Sequence, residues 1–182
     1  TELGAMSANL FVLLHQDTFQ IRLEIARCCS STLLSPGISA QEIVDNVLEE
    51  HRRRALSNFR VLALDDDPVI LNVLGQHLTS WGMLGTTLND PGLLWDSLSQ
   101  FNPDLLLLDV EMPNINGIEL CRVIRSDRTW SHLPIVFLTT CRDSETVQAI
   151  YQAGADDYIT KPFAAKELAA RIVNRLVRNH SK

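Results

Sequence analysis

Asp109 closes the apolar run Leu105-Leu106-Leu107-Leu108, and Met112-Pro113 follows three residues later. A short apolar run flanked by Pro103 and Pro113 predicts a strand buried on both faces, as in a parallel sheet. Burying an isolated carboxylate is costly or drives its pKa upward. The acid is therefore expected at the strand's open end, facing something positive. Three other strand-like segments also end in polar residues. Val61-Leu62-Ala63-Leu64 runs into Asp65-Asp66-Asp67, Pro134 to Leu138 into Thr139, and Tyr158 to Thr160 into Lys161. In a parallel sheet all these ends share one edge, where open α/β sheets bind ligands. Clustered carboxylates repel one another and favour a hard divalent cation such as Mg²⁺, which takes carboxylate, water and phosphate oxygens. A hydroxyl and an ammonium opposite would suit a phosphoryl group, whose transfer needs charge neutralisation and positioning. Each residue also has an ordinary alternative. Asp67 before Pro68 reads as a helix N-cap with proline at the first helical position. Asp109 could be a turn or capping residue, Thr139 a plain strand end, and Lys161 a surface lysine. Their gathering at four strand ends is what those ordinary roles leave unexplained.

The elements that must position them alternate from residue 60 onward. Strands are expected at 61–64, 83–88, 104–108, 134–138 and 158–160. Helices are expected at 68–81, 91–100, 117–126, 144–153 and 164–177. Five strands alternating with five helices predict an α/β domain with a parallel sheet and right-handed connections. Residues 8–57 read as a two-helix extension. Leu10, Leu14, Ile21 and Ile25 fall near helical spacing, and Ser35-Pro36-Gly37 interrupts them. Ser39 and Glu42 then form a capping box ahead of Ile43, Val44, Val47, Leu48 and Leu56. Such an extension makes a small core of its own. Its apolar stripe is expected on a second copy, on the other domain, or on a further part of a parent protein. Residues 1–7 read as an expression scar or disordered leader.

Composition narrows the function classes. The chain has 182 residues, 46% hydrophobic and 21% charged, with a formal net charge of −6, as in soluble globular proteins. No basic block tracks a phosphate backbone, so direct nucleic-acid binding is not expected. The one basic run, Arg52-Arg53-Arg54, reads as a solvated face. Cys28, Cys29, Cys121 and Cys141 form no C-x-x-C pair and have no histidine at metal-ligand spacing. They read as reduced thiols, which suits the cytoplasm. The run from Leu10 to Leu14 is too short to span a bilayer and lacks a basic leader, so no membrane insertion is expected.

The motifs fall in a familiar order: the acidic pair Asp65-Asp66, Asp-x-x-Met-Pro-x-x-x-Gly at 109–117, Thr139, Gly154-Ala155-Asp156-Asp157-Tyr158, and Lys161-Pro162-Phe163. Over about residues 59–180 the chain resembles the receiver (response-regulator, CheY-like) domain of two-component signalling. The resemblance implies a (βα)5 flavodoxin-like, doubly wound parallel sheet with strand order 2-1-3-4-5. It implies Asp109 as phosphoacceptor and Asp66 as a direct Mg²⁺ ligand, with Asp65 acting mainly through water. Asp109 and the backbone carbonyl of Glu111 would complete the metal site, and Mn²⁺ is an alternative ion. Lys161 and Thr139 would bind the phosphoryl group, Tyr158 would be an aromatic switch, and Lys161-Pro162 a cis peptide bond. The donor would be a histidine kinase or a histidine phosphotransfer protein. The surface altered by phosphorylation would be the fourth helix, fifth strand and fifth helix, about residues 143–178. A downstream effector protein or effector domain would read that change, and a homodimer would form through the same face or through residues 8–57. The chain would act as an enzyme only in promoting its own phosphorylation and dephosphorylation. With no DNA-binding or catalytic motif after the last helix, it is expected to be a single-domain form or a piece of a larger regulator. His15 and His51 lack the lysine and glycine expected after a phosphorylatable histidine and read as surface residues. Two alternatives stand beside this reading: a receiver-fold scaffold that acts by binding alone, and a phosphatase using Asp109 as nucleophile with Glu111 as its second acid.

Overall fold

The computed structural model describes residues 11–13, 32–34 and 53–180. The chain divides into two units, Thr1–Arg52 and Arg53–Lys182. In the first, β1 (Phe11–Leu13) and β2 (Thr32–Leu34) pair in parallel, with Phe11 opposite Thr32 and Leu13 opposite Leu34. These two triplets depart from the helical expectation for residues 8–57. The physical reason is the one that makes short apolar runs ambiguous: three residues are shorter than one helical turn and fit either period. The rest of that extension, including the capping box, lies outside the described residues, as does residues 1–7.

The second unit begins with a helical turn at residues 53–56, which takes Leu56 out of the extension. Leu56 is 6% exposed and packs with Val61, Leu78 and Met83 in the core of this unit. The remaining elements follow in strict alternation: β3 (Arg60–Leu64), α1 (Pro68–Ser80), β4 (Leu84–Leu88), α2 (Leu94–Phe101), β5 (Leu105–Asp109), α3 (Gly117–Ser126), β6 (Ile135–Thr139), α4 (Ser144–Gln152), β7 (Asp157–Thr160) and α5 (Ala165–His180). The five strands are all parallel, in the order β4-β3-β5-β6-β7. Counted within the domain this is 2-1-3-4-5, so the expected doubly wound fold is present. The order reverses between β3 and β5, which places the binding crevice beside the ends of those two strands.

The side chains explain why the sheet closes into three layers. Successive residues of a strand point to opposite faces. Leu62, Leu64, Leu106, Leu108, Ile135 and Phe137 therefore face α2, α3 and α4, where Leu98, Ile124 and Ile150 meet them. Val61, Ala63, Leu105, Leu107, Val136 and Leu138 face the other way, onto Leu74 of α1 and Leu168 and Ile172 of α5. Strands β5 and β6 are buried along their whole length, whereas the edge strand β4 is largely exposed. Polar side chains start the helices at the functional edge. Asp67 accepts from the Val69 amide at 2.8 Å ahead of Pro68, Asn116 from the Ile118 amide, and Asp143 from the Thr146 amide. The ordinary capping role weighed for Asp67 is thus present.

Candidate functional site

The ends of β3, β5, β6 and β7 bring the expected residues to one edge. Asp65 is fully buried, Asp66 is exposed, and Asp109 is 3% exposed. A carboxylate oxygen from each of the three lies within 4.8 Å of the others. The Lys161 ammonium enters from β7 and bridges two of them, donating to Asp65 Oδ2 at 2.5 Å and to Asp109 Oδ1 at 2.7 Å. The second oxygen of Asp65 accepts from the Asp67 amide at 3.0 Å. Burial pushes the Asp109 carboxyl above its usual range; the Lys161 hydrogen bond and charge pull it down, and Asp65 and Asp66 push it up again. Burial alone would lower the Lys161 pKa, but its hydrogen bonds to Asp109 and Asp65 outweigh that and raise it. Three carboxylates lie together, only two of them bonded to the ammonium, and the shortfall of positive charge suits a divalent cation with oxygen ligands.

The surrounding backbone fixes where Asp109 points. The Gly117 amide donates to the Val110 carbonyl at 2.9 Å, folding the start of α3 back onto the end of β5. A side chain at 117 would place its Cβ 1.9 Å from the Asp109 carbonyl oxygen, so only glycine permits that approach. On the other side, the Lys161 amide donates to the Thr139 carbonyl at 2.7 Å, and the Lys161-Pro162 peptide bond is cis. Thr139 is fully buried at the end of β6, with its hydroxyl accepting from the Cys141 amide at 3.0 Å. Glu111 is exposed, and its carboxylate takes the Thr140 hydroxyl while the Cys141 thiol lies 3.7 Å away. Glu111 thus joins the loop after β5 to the loop after β6 rather than bonding to Lys161. Tyr158 lies half-buried on β7, three residues before Lys161, and meets the ring of Tyr151 edge-on.

A second polar cluster escaped the sequence reading. Asp157, 5% exposed at the start of β7, accepts from Arg171 Nη1 at 2.8 Å and Arg175 Nη2 at 3.0 Å. It also takes the Tyr158 amide at 2.9 Å. Beside it, Arg125 donates to the Gly154 and Leu133 carbonyls and to Asp156, which accepts in turn from the Ile135 amide. The available signal was the helical spacing of Arg171 and Arg175, four residues apart on one face of α5.

Comparison with known proteins gives a consistent picture. The family model described as the response regulator receiver domain matches residues 61–173. Protein RcaC of Microchaete diplosiphon is 42% identical over 157 residues, which cover 86% of this chain and 24% of RcaC. That stretch is longer than Arg53–Lys182, so the likeness extends into the N-terminal unit. The DNA-binding response regulator MtrA of Mycolicibacterium smegmatis is 41% identical over 123 residues, 68% of this chain and 53% of MtrA. The chain spans about a quarter of the first relative's length and about half of the second's. The crystal structure of a CheY-like response regulator receiver domain protein from Methanospirillum hungatei JF-1 aligns with a TM-score of 0.63 at 26% identity, covering 69% of this chain and 98% of that one.

Proposed function

The chain belongs to the response regulator receiver family, and we propose that Asp109 is its phosphoacceptor. The donor in this reading is a phosphohistidine of a histidine kinase or phosphotransfer protein. A carboxylate oxygen of Asp109 attacks phosphorus as the phosphorus–nitrogen bond breaks, and the electron pair leaves with the imidazole. Asp65, Asp66 and Asp109, with the carbonyl of Glu111, would hold Mg²⁺, which offsets charge on the phosphoryl oxygens when bound. Lys161 stands against Asp109 and would pair with a phosphoryl oxygen. Thr139 would turn its hydroxyl from the Cys141 amide toward another, and Tyr158 would follow into the space released. This electrostatic change at a bistable element alters the α4-β7-α5 surface that an effector reads. The domain is taken as about residues 59–180, placed in the cytoplasm.

One observation carries the proposal: three carboxylates gather at the sheet's binding edge, and the ammonium beside them bonds two of these, Asp65 and Asp109. Incubation with acetyl phosphate and Mg²⁺, followed by intact mass, tests it. One phosphoryl adduct is expected, base-labile and missing from Asp109→Asn. No adduct would leave a scaffold that acts by binding alone. Sustained hydrolysis of phosphate esters would instead point to a phosphatase.

A further inference from the structure

Tyr158 does not stand alone in the structure. Its ring meets that of Tyr151, in the last turn of α4, with centroids 5.9 Å apart and planes at 83°. Edge-to-face pairing at this separation is favourable beyond the area it buries. Tyr151 is 49% exposed. Tyr158 is half-buried and packs on the core layer that contains Phe137 and Ile150. In this structure the ring contact joins Tyr158 to α4. A turn of Tyr158 toward Thr139 would end it, and a contact made in one state alone biases the equilibrium toward that state.

We propose that Tyr151 is a positioning residue whose ring holds Tyr158 against α4 in the unphosphorylated protein and so sets how readily the phosphoryl signal turns it. This rests on the reading of Asp109 as phosphoacceptor and Tyr158 as switch. Loss of the Tyr151 ring raises the share of molecules already turned, and apparent affinity for a phosphoryl mimic rises with that share.

The test uses beryllofluoride with Mg²⁺ on the whole chain. Tyr151→Ala should bind it about two- to tenfold more tightly than wild type, the range expected from losing one aromatic pair. Tyr151→Phe keeps the ring edge and should match wild type. In a Tyr158→Ala background, Tyr151→Ala should change nothing. The chain has two tyrosines, so 3-fluorotyrosine in Tyr151→Phe reports Tyr158 alone, and its resonance should move on saturation. Unchanged affinity in Tyr151→Ala, the same gain without Tyr158, or an immobile Tyr158 resonance would each overturn the latch while leaving the phosphoacceptor intact. Failure of wild type and every variant to bind beryllofluoride would overturn the phosphoacceptor reading, and the latch with it.

Discussion

Asp109 and Asp157 are both buried aspartates on strands of the same parallel sheet, 3% and 5% exposed. Asp109 ends β5, while Asp157 begins β7, so they lie at opposite edges. Asp157 is one carboxylate facing two guanidiniums and a backbone amide, and its charge is more than matched. Asp109 shares one ammonium with Asp65, and Asp66 adds a further carboxylate. Burying a charge is tolerable when it is paired and hydrogen-bonded. The Asp157 edge meets that condition with protein groups alone; the Asp109 edge does not. A buried acid with a full set of donors belongs to the framework. One with too few is a place for something positive to bind.

The largest effect that would break this contrast is expected at Asp157. Removing one member of a fully buried ion pair costs about 3–5 kcal/mol, because the partner charge stays behind. Arg171 and Arg175 retain 41% and 26% side-chain exposure. Water would take over part of their solvation, and Asp157→Ala should cost nearer about 2 kcal/mol. Urea denaturation would show this as a lower midpoint at unchanged slope. Phosphoryl uptake at Asp109 should persist in the folded variant. A shift within error would remove Asp157 from the framework.

Next in size is Lys161→Met. It removes the ammonium that Asp65 and Asp109 share, leaving buried carboxylates to repel. A loss of about 1–2 kcal/mol is expected with a chelator present. Mg²⁺ should restore much of it, since a ligand that binds only the folded state stabilises that state. Thermal melts with chelator and with Mg²⁺ would separate the two. Equal losses in both would mean that no cation enters the pocket.

The two edges also differ in how openly the sequence displays them. Strands β5 and β6 are unbroken apolar runs, so Asp109 and Thr139 stand out where those runs stop. The sheet's parallel connectivity then carries Asp65, Asp66 and Lys161 to the same place without any knowledge of side-chain contacts. Asp157 gave no such signal. It follows Asp156 at the start of β7, and its partners sit on α5, where arginines four apart also suit a solvated face. Only packing of α5 against β7 distinguishes these roles. Glu111 shows the same limit at closer range: its place two residues after Asp109 is legible, but its bond to the Thr140 hydroxyl depends on a loop conformation. Phe11–Leu13 and Thr32–Leu34 were illegible for a simpler reason, since a run of three residues satisfies helical and strand periods alike.

The smallest expected effect has the opposite sign and sharpens the contrast most. Burial holds the folded Asp109 carboxyl above its usual value, with Asp65 and Asp66 acting in the same direction against the pull of Lys161. An acid whose folded pKa is raised binds its proton more tightly in the native state than in the unfolded one. Its ionisation therefore costs stability as pH rises from the unfolded value, about 3.9, to the folded one, and the cost then stays constant. Asp109→Asn removes that cost while Lys161 keeps Asp65. Near neutral pH with chelator present, the variant should be equal to wild type or up to about 1 kcal/mol more stable. The two should converge as pH falls below the unfolded carboxyl value, where Asp109 is protonated in both states. Paired melts across that range would measure the difference. A variant less stable than wild type at neutral pH would place Asp109 with Asp157, as an acid whose pairing supports the fold.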